Sequence, residues 1–258
     1  MTAFSYAELS SAFPKSGGEY VYTKRAFGKK IGLFLGIIIS LNGIVSGATV
    51  ATGFAGYLSE LTNLNNLLGA LGIITLLFLI NTAGIRESSW VNIVFTLIEV
   101  SGLLLIIYIG VSSIGDVNLL ELPPQGIKGI FSASALAFFA YIGFEEIVKL
   151  SEETKDPKKT IPRALFIASI IVIIMYVLLA LCAVSVLPYN ELAQSSGPLA
   201  SIAESAYGNT GVLIISIIAL FATSNTLLSN MLGSSRVLMS IGKETKLLSR
   251  FSKVSEKR

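Results

Sequence analysis

The sequence predicts an all-α bundle of membrane-spanning helices, and three observations predict it. The chain is 53% hydrophobic and only 14% charged, with a mean hydropathy of +0.74. A soluble domain carries about 25% charged residues, so this chain takes lipid as its solvent. Several apolar runs reach the roughly 20 residues that a spanning helix needs. The basic residues are also strongly sorted. Of the 19 lysines and arginines, all but Lys128 fall in one set of segments, while the opposite set carries Glu60, Asp116, Glu121, Glu191 and Glu204. Basic loops stay on the cytoplasmic side. The sorting therefore predicts six spans with both chain ends cytoplasmic, in the cell membrane.

Composition also excludes chemistry. The chain has no histidine, which removes His-based metal sites and His acid–base catalysis. Its one cysteine, Cys182, lies in an apolar run, so neither an internal disulfide nor a Cys metal site is expected. A net charge of +3 gives no basis for nucleic-acid binding. There is no HExxH, no Walker-type loop and no GxSxG. Neither an enzyme nor a cofactor is expected. Residues 1–18 lack a basic segment followed by an apolar one, so no cleavable signal peptide is expected.

Residues 1–30 read as the end of a helix followed by an amphipathic cytoplasmic loop. Pro14 and the Gly17-Gly18 pair end the first piece. Tyr20, Tyr22 and Phe27 then stand beside Lys24 and Arg25, a mixture suited to a membrane interface. Residues 31–241 form the membrane bundle, with spans near 31–58, 64–82, 90–111, 126–150, 162–187 and 211–241. In the first of these, Gly43, Gly47, Ala51 and Ala55 recur every four residues, a stripe for close helix packing in lipid. Pro162 is read at the first helical turn of the fifth span. Residues 112–128 and 188–210 read as loops, and residues 242–258 as a basic cytoplasmic tail.

The fourth span carries the signal around which the rest is organised. Residues 131–163 read FSASALAFFAYIGFEEIVKLSEETKDPKKTIPR. Gly143 permits the helix to unwind, and Glu145 and Glu146 follow it inside an apolar run. Freed backbone groups at membrane depth are tolerated only in a cavity or inside protein, and transporters use such breaks to hold substrates and ions. Intramembrane acids default to a functional hypothesis, because each costs roughly 2.5 kcal/mol or more at a helix centre. Glu145 reads as the functional acid and Glu146 as the structural one. A Glu145–Lys149 helix pair is the plainer alternative. Glu99 shares a face with Asn92, Thr96 and Gly102. It reads either as a proton carrier or cation-site contact, or as a buried acid hydrogen-bonded to a neighbouring span. In the last span Thr223, Thr226, Asn230 and Gly233 share one face, read as lining a pathway.

Three stretches carry a family resemblance. YAELSSAFPKSGGEYVYTKRAFG (residues 6–28), FFAYIGFEEIVKLSEETKDPKKTIPRAL (138–165) and SSRVLMSIGKE (234–244) resemble, in order and spacing, segments of amino acid permeases of the amino acid–polyamine–organocation superfamily. The resemblance covers essentially the whole chain. It implies a leucine-transporter-type inverted-repeat fold with the broken helix near 138–146. It further implies a substrate site at Phe139, Ala140, Tyr141, Ile142 and Gly143, with Phe139 as an aromatic gate and Glu145 as an acid of proton-linked gating. Glu99 stands where some relatives place a lysine, a reversal of charge. Nothing in the chain matches the family's glycine-rich first span. The expectation is a permease fragment lacking that span, part of the second and those after the eighth. The function implied is secondary active transport of an amino acid or related amine by alternating access, coupled to protons or to an exchanged substrate. The alternative is a non-transporting membrane fragment or a partner subunit of another permease chain.

Overall fold

The computed structural model describes residues 2–119, 126–195 and 197–252, with backbone alone at Phe139, Lys246 and Leu247. Helices dominate, and there is no strand among the described residues. The chain opens with α1 (Thr2–Ala12) and α2 (Glu19–Phe27), then the long α3 (Lys29–Thr62), α4 (Asn66–Ala83) and α5 (Ile85–Gly110). The broken span follows as α6 (Gly126–Phe139) and the single turn α7 (Glu146–Lys149). Then come α8 (Pro157–Val186), the short α9 (Tyr189–Gln194) and α10 (Pro198–Tyr207), and α11 (Asn209–Gly242). Among the described residues, α3, α4, α5, α8 and α11 are long and apolar enough to cross a membrane. With the broken α6–α7 segment they make the all-α membrane bundle that the sequence predicts.

Local chemistry sets the helix ends. Asn63 closes α3 in the left-handed region at φ 58°, its N–H donating to Ser59 O. Two residues later the Asn65 side chain caps α4 by accepting from Leu67 N at 2.9 Å. Gly28, at φ 88°, turns the chain between α2 and α3 in a conformation that a side chain rarely adopts. Bare apolar faces remain along the spans: on α8, Ile167, Ile170, Ile171 and Ile174 are all more than half exposed. Such a face is suited to an apolar surrounding rather than to water.

The chain divides into two compact units, one of residues 1–96, 144–168 and 220–258, the other of 97–143 and 169–219. In the first, the small-residue stripe packs tightly. A Cβ on Gly43 would fall 1.9 Å from Ser234 Oγ of α11, and one on Gly47 would touch Leu227. Ala51 and Ala55 are buried with Ala70, Ile73 and Leu77 of α4 and Leu227, Leu228 and Leu232 of α11. Without a hydrophobic force between helices in lipid, such close approach supplies the attraction. A further cluster joins Ala7 and Tyr22 to Val148, Ile161 and Leu165. The second unit has its core at Ile106, Ile202, Ala203 and Ile215.

Two details differ from the sequence reading. Pro162 lies inside α8 rather than in its first turn, because the helix begins at Pro157. Asp156, at φ 50°, turns the chain there, and the fixed φ of Pro157 starts the helix. Residues 188–210, expected as a loop, contain α9 and α10. α10 earns its helix by burying Ile202 and Ala203, a gain too short in sequence to register as a span. Of the acids assigned to the loops, Glu121 lies outside the described residues, as do the basic residues beyond 252.

The Gly43 contact gives a stability prediction. Gly43→Val should destabilise the purified protein by roughly 1–3 kcal/mol, the cost of overpacking a tight contact. Gly53→Val, at a position where an added Cβ meets nothing within 4 Å, serves as the control. Thermal unfolding in detergent makes the comparison; equal losses at both positions would contradict the packing assigned to the stripe.

Candidate functional site

The break forms where the sequence predicts it. At the end of α6 the bonding tightens to i→i−3: Ala140 N–H donates to Ala137 O and Tyr141 N–H to Phe138 O, both at 3.0 Å. The helical ladder then lapses over residues 140–145. Gly143 passes through φ +118°, where a side chain would be strained. The helix restarts at α7, with Val148 N–H donating to Glu145 O. The break thus delivers Glu145, Glu146 and Lys149 to one short turn.

In the first unit these side chains face a cavity of 230 Å³. Glu19 joins Glu145 and Glu146 in its wall, with Lys149 as the basic residue among them. Asn42 of α3 and Asn230 and Ser234 of α11 supply uncharged polar groups, and Tyr6 closes one side. Lys149 is 5% exposed and ion-paired with Glu146. Gly233 makes room for that pair, since a Cβ there would fall 1.7 Å from Glu146 Oε2. Tyr6 Oη donates to Glu19 Oε1 at 3.2 Å. Burial pushes the Glu19 carboxyl above its ordinary range, only partly offset by the nearby Lys149 charge.

Next to this cavity the polar ends of the same unit are tied together. Tyr20 Oη donates to Glu244 Oε2 at 3.1 Å, Lys24 pairs with the same carboxylate, and Lys29 donates to Glu244 O. Arg236 pairs with Glu153 at 2.6 Å and Lys243 with Glu152 at 3.2 Å. Ser240 Oγ donates to Ser16 O at 2.7 Å, and Glu152 N–H donates to Ser16 Oγ. Segments 16–29, 152–153 and 236–244 are thereby held by one polar network.

The remaining predicted residues divide between the units. Asn230 and Glu145 line the same cavity. Asn92 donates to Asn225 Oδ1 and Ser229 Oγ of α11 at 2.7 and 2.9 Å, and Asn225 donates to Thr96. The polar face of α5 therefore binds α11 there. Thr226 is exposed and donates to Ala222 O, and Thr223 donates to Leu220 O, so each hydroxyl bonds its own helix. In the second unit Tyr141 packs edge-on against Tyr176 at 5.2 Å, and Tyr176 lies within electrostatic reach of Glu99. Ala140 and Ile142 are exposed, and the Phe139 side chain lies outside the described residues. Sequence reasoning missed Glu19, Tyr6, Asn42, Ser234 and Tyr176 as members of these groups, and it paired Lys149 with Glu145 where the structure pairs it with Glu146. Glu19 follows a glycine pair in a polar stretch, and nothing in that stretch signals enclosure.

The Glu244 contacts predict a pH dependence. Burial opposes its charge, but the hydrogen bonds from Lys24 and Tyr20 and the charges of Lys24 and Lys29 outweigh it and hold the carboxyl below its usual 4.5. A depressed folded-state value means that the contribution is present above pH 4.5 and lost as pH falls through the folded value. Wild type should therefore unfold at a higher temperature than Glu244→Gln near neutral pH, and the gap should close on acidification. A gap independent of pH would contradict this network.

Comparison with known proteins follows the same lines. A sequence profile of the amino acid permease family matches residues 1–258. The chain is 28% identical to a branched-chain amino acid permease of Bacillus subtilis, over 99% of this chain and 59% of that protein. It is 30% identical to a methylthioribose transporter of the same organism, over 98% of this chain and 59% of that protein. It is 31% identical to the vacuolar cationic amino acid transporter 4 of Arabidopsis thaliana, over 99% of this chain and 46% of that protein. The chain thus spans about half the length of the curated relatives it matches. A family match along its entire length, on a helical membrane bundle with a broken span, makes this chain a member of the amino acid permease family.

Proposed function

We propose that this integral membrane protein serves secondary active transport of an amino acid or related amine by alternating access, coupled to protons or to an exchanged substrate. The observation that carries the reading is the cavity beside the broken span, where three carboxylates, a lysine and two asparagines converge. Charged groups at membrane depth are costly, and a chain retains them where they bind or move charge. The names of relatives supply the substrate class: two of the three are named for amino acids.

In this reading the unwound residues Phe139, Ala140, Tyr141, Ile142 and Gly143 meet the substrate, through backbone groups that the break releases from the helical ladder. Glu145, one residue beyond Phe144, reports protonation to that segment. Glu99 and Tyr141 flank Tyr176 and form a second polar point on the path. Thr223, Thr226 and Asn230 contribute a polar face on α11. The sorting of the basic residues supports an orientation in the cell membrane with both ends of the chain on the cytoplasmic side.

Uptake of radiolabelled amino acids into proteoliposomes tests the reading. Saturable uptake driven by an inward proton gradient or by preloaded substrate is expected. Glu145→Gln should lower it by roughly tenfold or more, the worth of one hydrogen bond to a charged group. Absence of saturable uptake in every gradient, together with no thermal stabilisation by any amino acid, would overturn the function. Unchanged rate and pH dependence in Glu145→Gln would overturn the role of that residue.

A further inference from the structure

Glu19 lines the cavity, yet the transport reading assigns it no step of its own. It lies at the start of α2, outside the apolar runs, yet it lines the cavity with Glu145, Glu146 and Lys149. Glu19 and Glu146 both face one ammonium group, that of Lys149. That ammonium is enclosed and committed to Glu146. The other polar lining groups on α3 and α11 are Asn42, Asn230 and Ser234, which carry no charge.

The atoms of Glu19 sharpen the point. Oε1 accepts one hydrogen bond from Tyr6 Oη. Oε2 is sealed from solvent and has no hydrogen-bond partner among the described residues. Glu146 Oε2 is in the same condition. An ionised carboxylate with a sealed, unpaired oxygen is costly, and a proton removes the charge and turns that oxygen into a donor. The groups acting on Glu19 are Lys149, Glu145 and Glu146 from the restarted helix, its own backbone N–H, Tyr6 from α1, and Tyr22 on its own helix. The two tyrosines are neutral at physiological pH. Among the described residues no group of three acidic, histidine or cysteine side chains is placed to hold a metal ion.

We propose that Glu19 holds a proton at neutral pH, forming with Glu146 and Lys149 a proton-binding site distinct from Glu145. The position of the Lys149 ammonium sets its occupancy. Paired with Glu146 it leaves Glu19 protonated; brought closer to Glu19 it favours the carboxylate, and the proton leaves to solvent. The use of this site in transport rests on the function proposed above, but its occupancy does not.

Infrared difference spectroscopy on the full chain in lipid nanodiscs, titrated through neutral pH, is the test. The carbonyl stretch of a protonated carboxyl group is expected in wild type at neutral pH and should vanish in Glu19→Gln. It should persist in Glu60→Gln, which lies at the far end of α3. Tyr6→Phe keeps the acid and removes a hydrogen bond that favours the charged form. Its titration midpoint should rise by roughly half to one pH unit, the worth of one neutral hydrogen bond. A wild type without the band at neutral pH overturns the proposal. So does a band that survives Glu19→Gln, or, should that variant fail to fold, a Tyr6→Phe midpoint that does not move. A normal band in a protein without uptake would instead count against the transport reading alone.

Discussion

The Glu146–Lys149 pair, seated against Gly233, is the interaction on which the rest of the first unit depends. An enclosed ammonium group is stable only with a counter-charge at contact, and removing one partner of a buried pair costs roughly 3–5 kcal/mol. The pair fits against α11 because Gly233 has no side chain there; a Cβ would fall 1.7 Å from Glu146 Oε2. The turn that carries Glu146 and Lys149 and the gap at Gly233 are two halves of one arrangement, one supplying the charges and the other receiving them.

That arrangement explains the chemistry of its surroundings. Close packing of α3 on α11 at Gly43 brings Asn42 and Asn230 to the cavity, so its wall is polar without further charge. α1 and α2 cover it with Tyr6 and Glu19. The network through Ser16, Lys24 and Glu244 fixes α2 against the end of α11, which in turn fixes Glu19. Small residues, a broken helix and a polar clasp thus combine to keep charge inside an apolar protein. Each would lose its purpose without the others.

Much of this was legible in the chain. The all-α class followed from composition and run length, and the break from a glycine followed by two acids in an apolar run. Glu145 and Asn230 stood out because a polar residue inside a span has few reasons to be there, and both line the cavity. Glu19 was not, because its setting along the chain is polar and its enclosure arises only when α1, α3 and α7 close around it. The hydroxyls of α11 show the converse. Thr223 and Thr226 stand out in the sequence, yet each bonds a carbonyl of its own turn, while Asn225 and Ser229 reach across to α5. Hydrogen-bonding capacity is visible in a sequence; the choice between bonding inward and bonding across is made by packing.

The central claim is that the charged cavity beside the broken span is reached by water and substrate although it lies in an apolar bundle. The most direct measurement uses Asn230→Cys in a Cys182→Ser background, probed with a membrane-impermeant thiol reagent. Modification from one side of the membrane, slowed by added amino acid, is the result this account predicts. Ile171→Cys, on the exposed apolar face of α8, provides the comparison and should stay unmodified. An Asn230→Cys as inert as Ile171→Cys would contradict the claim and leave the cavity a sealed packing defect.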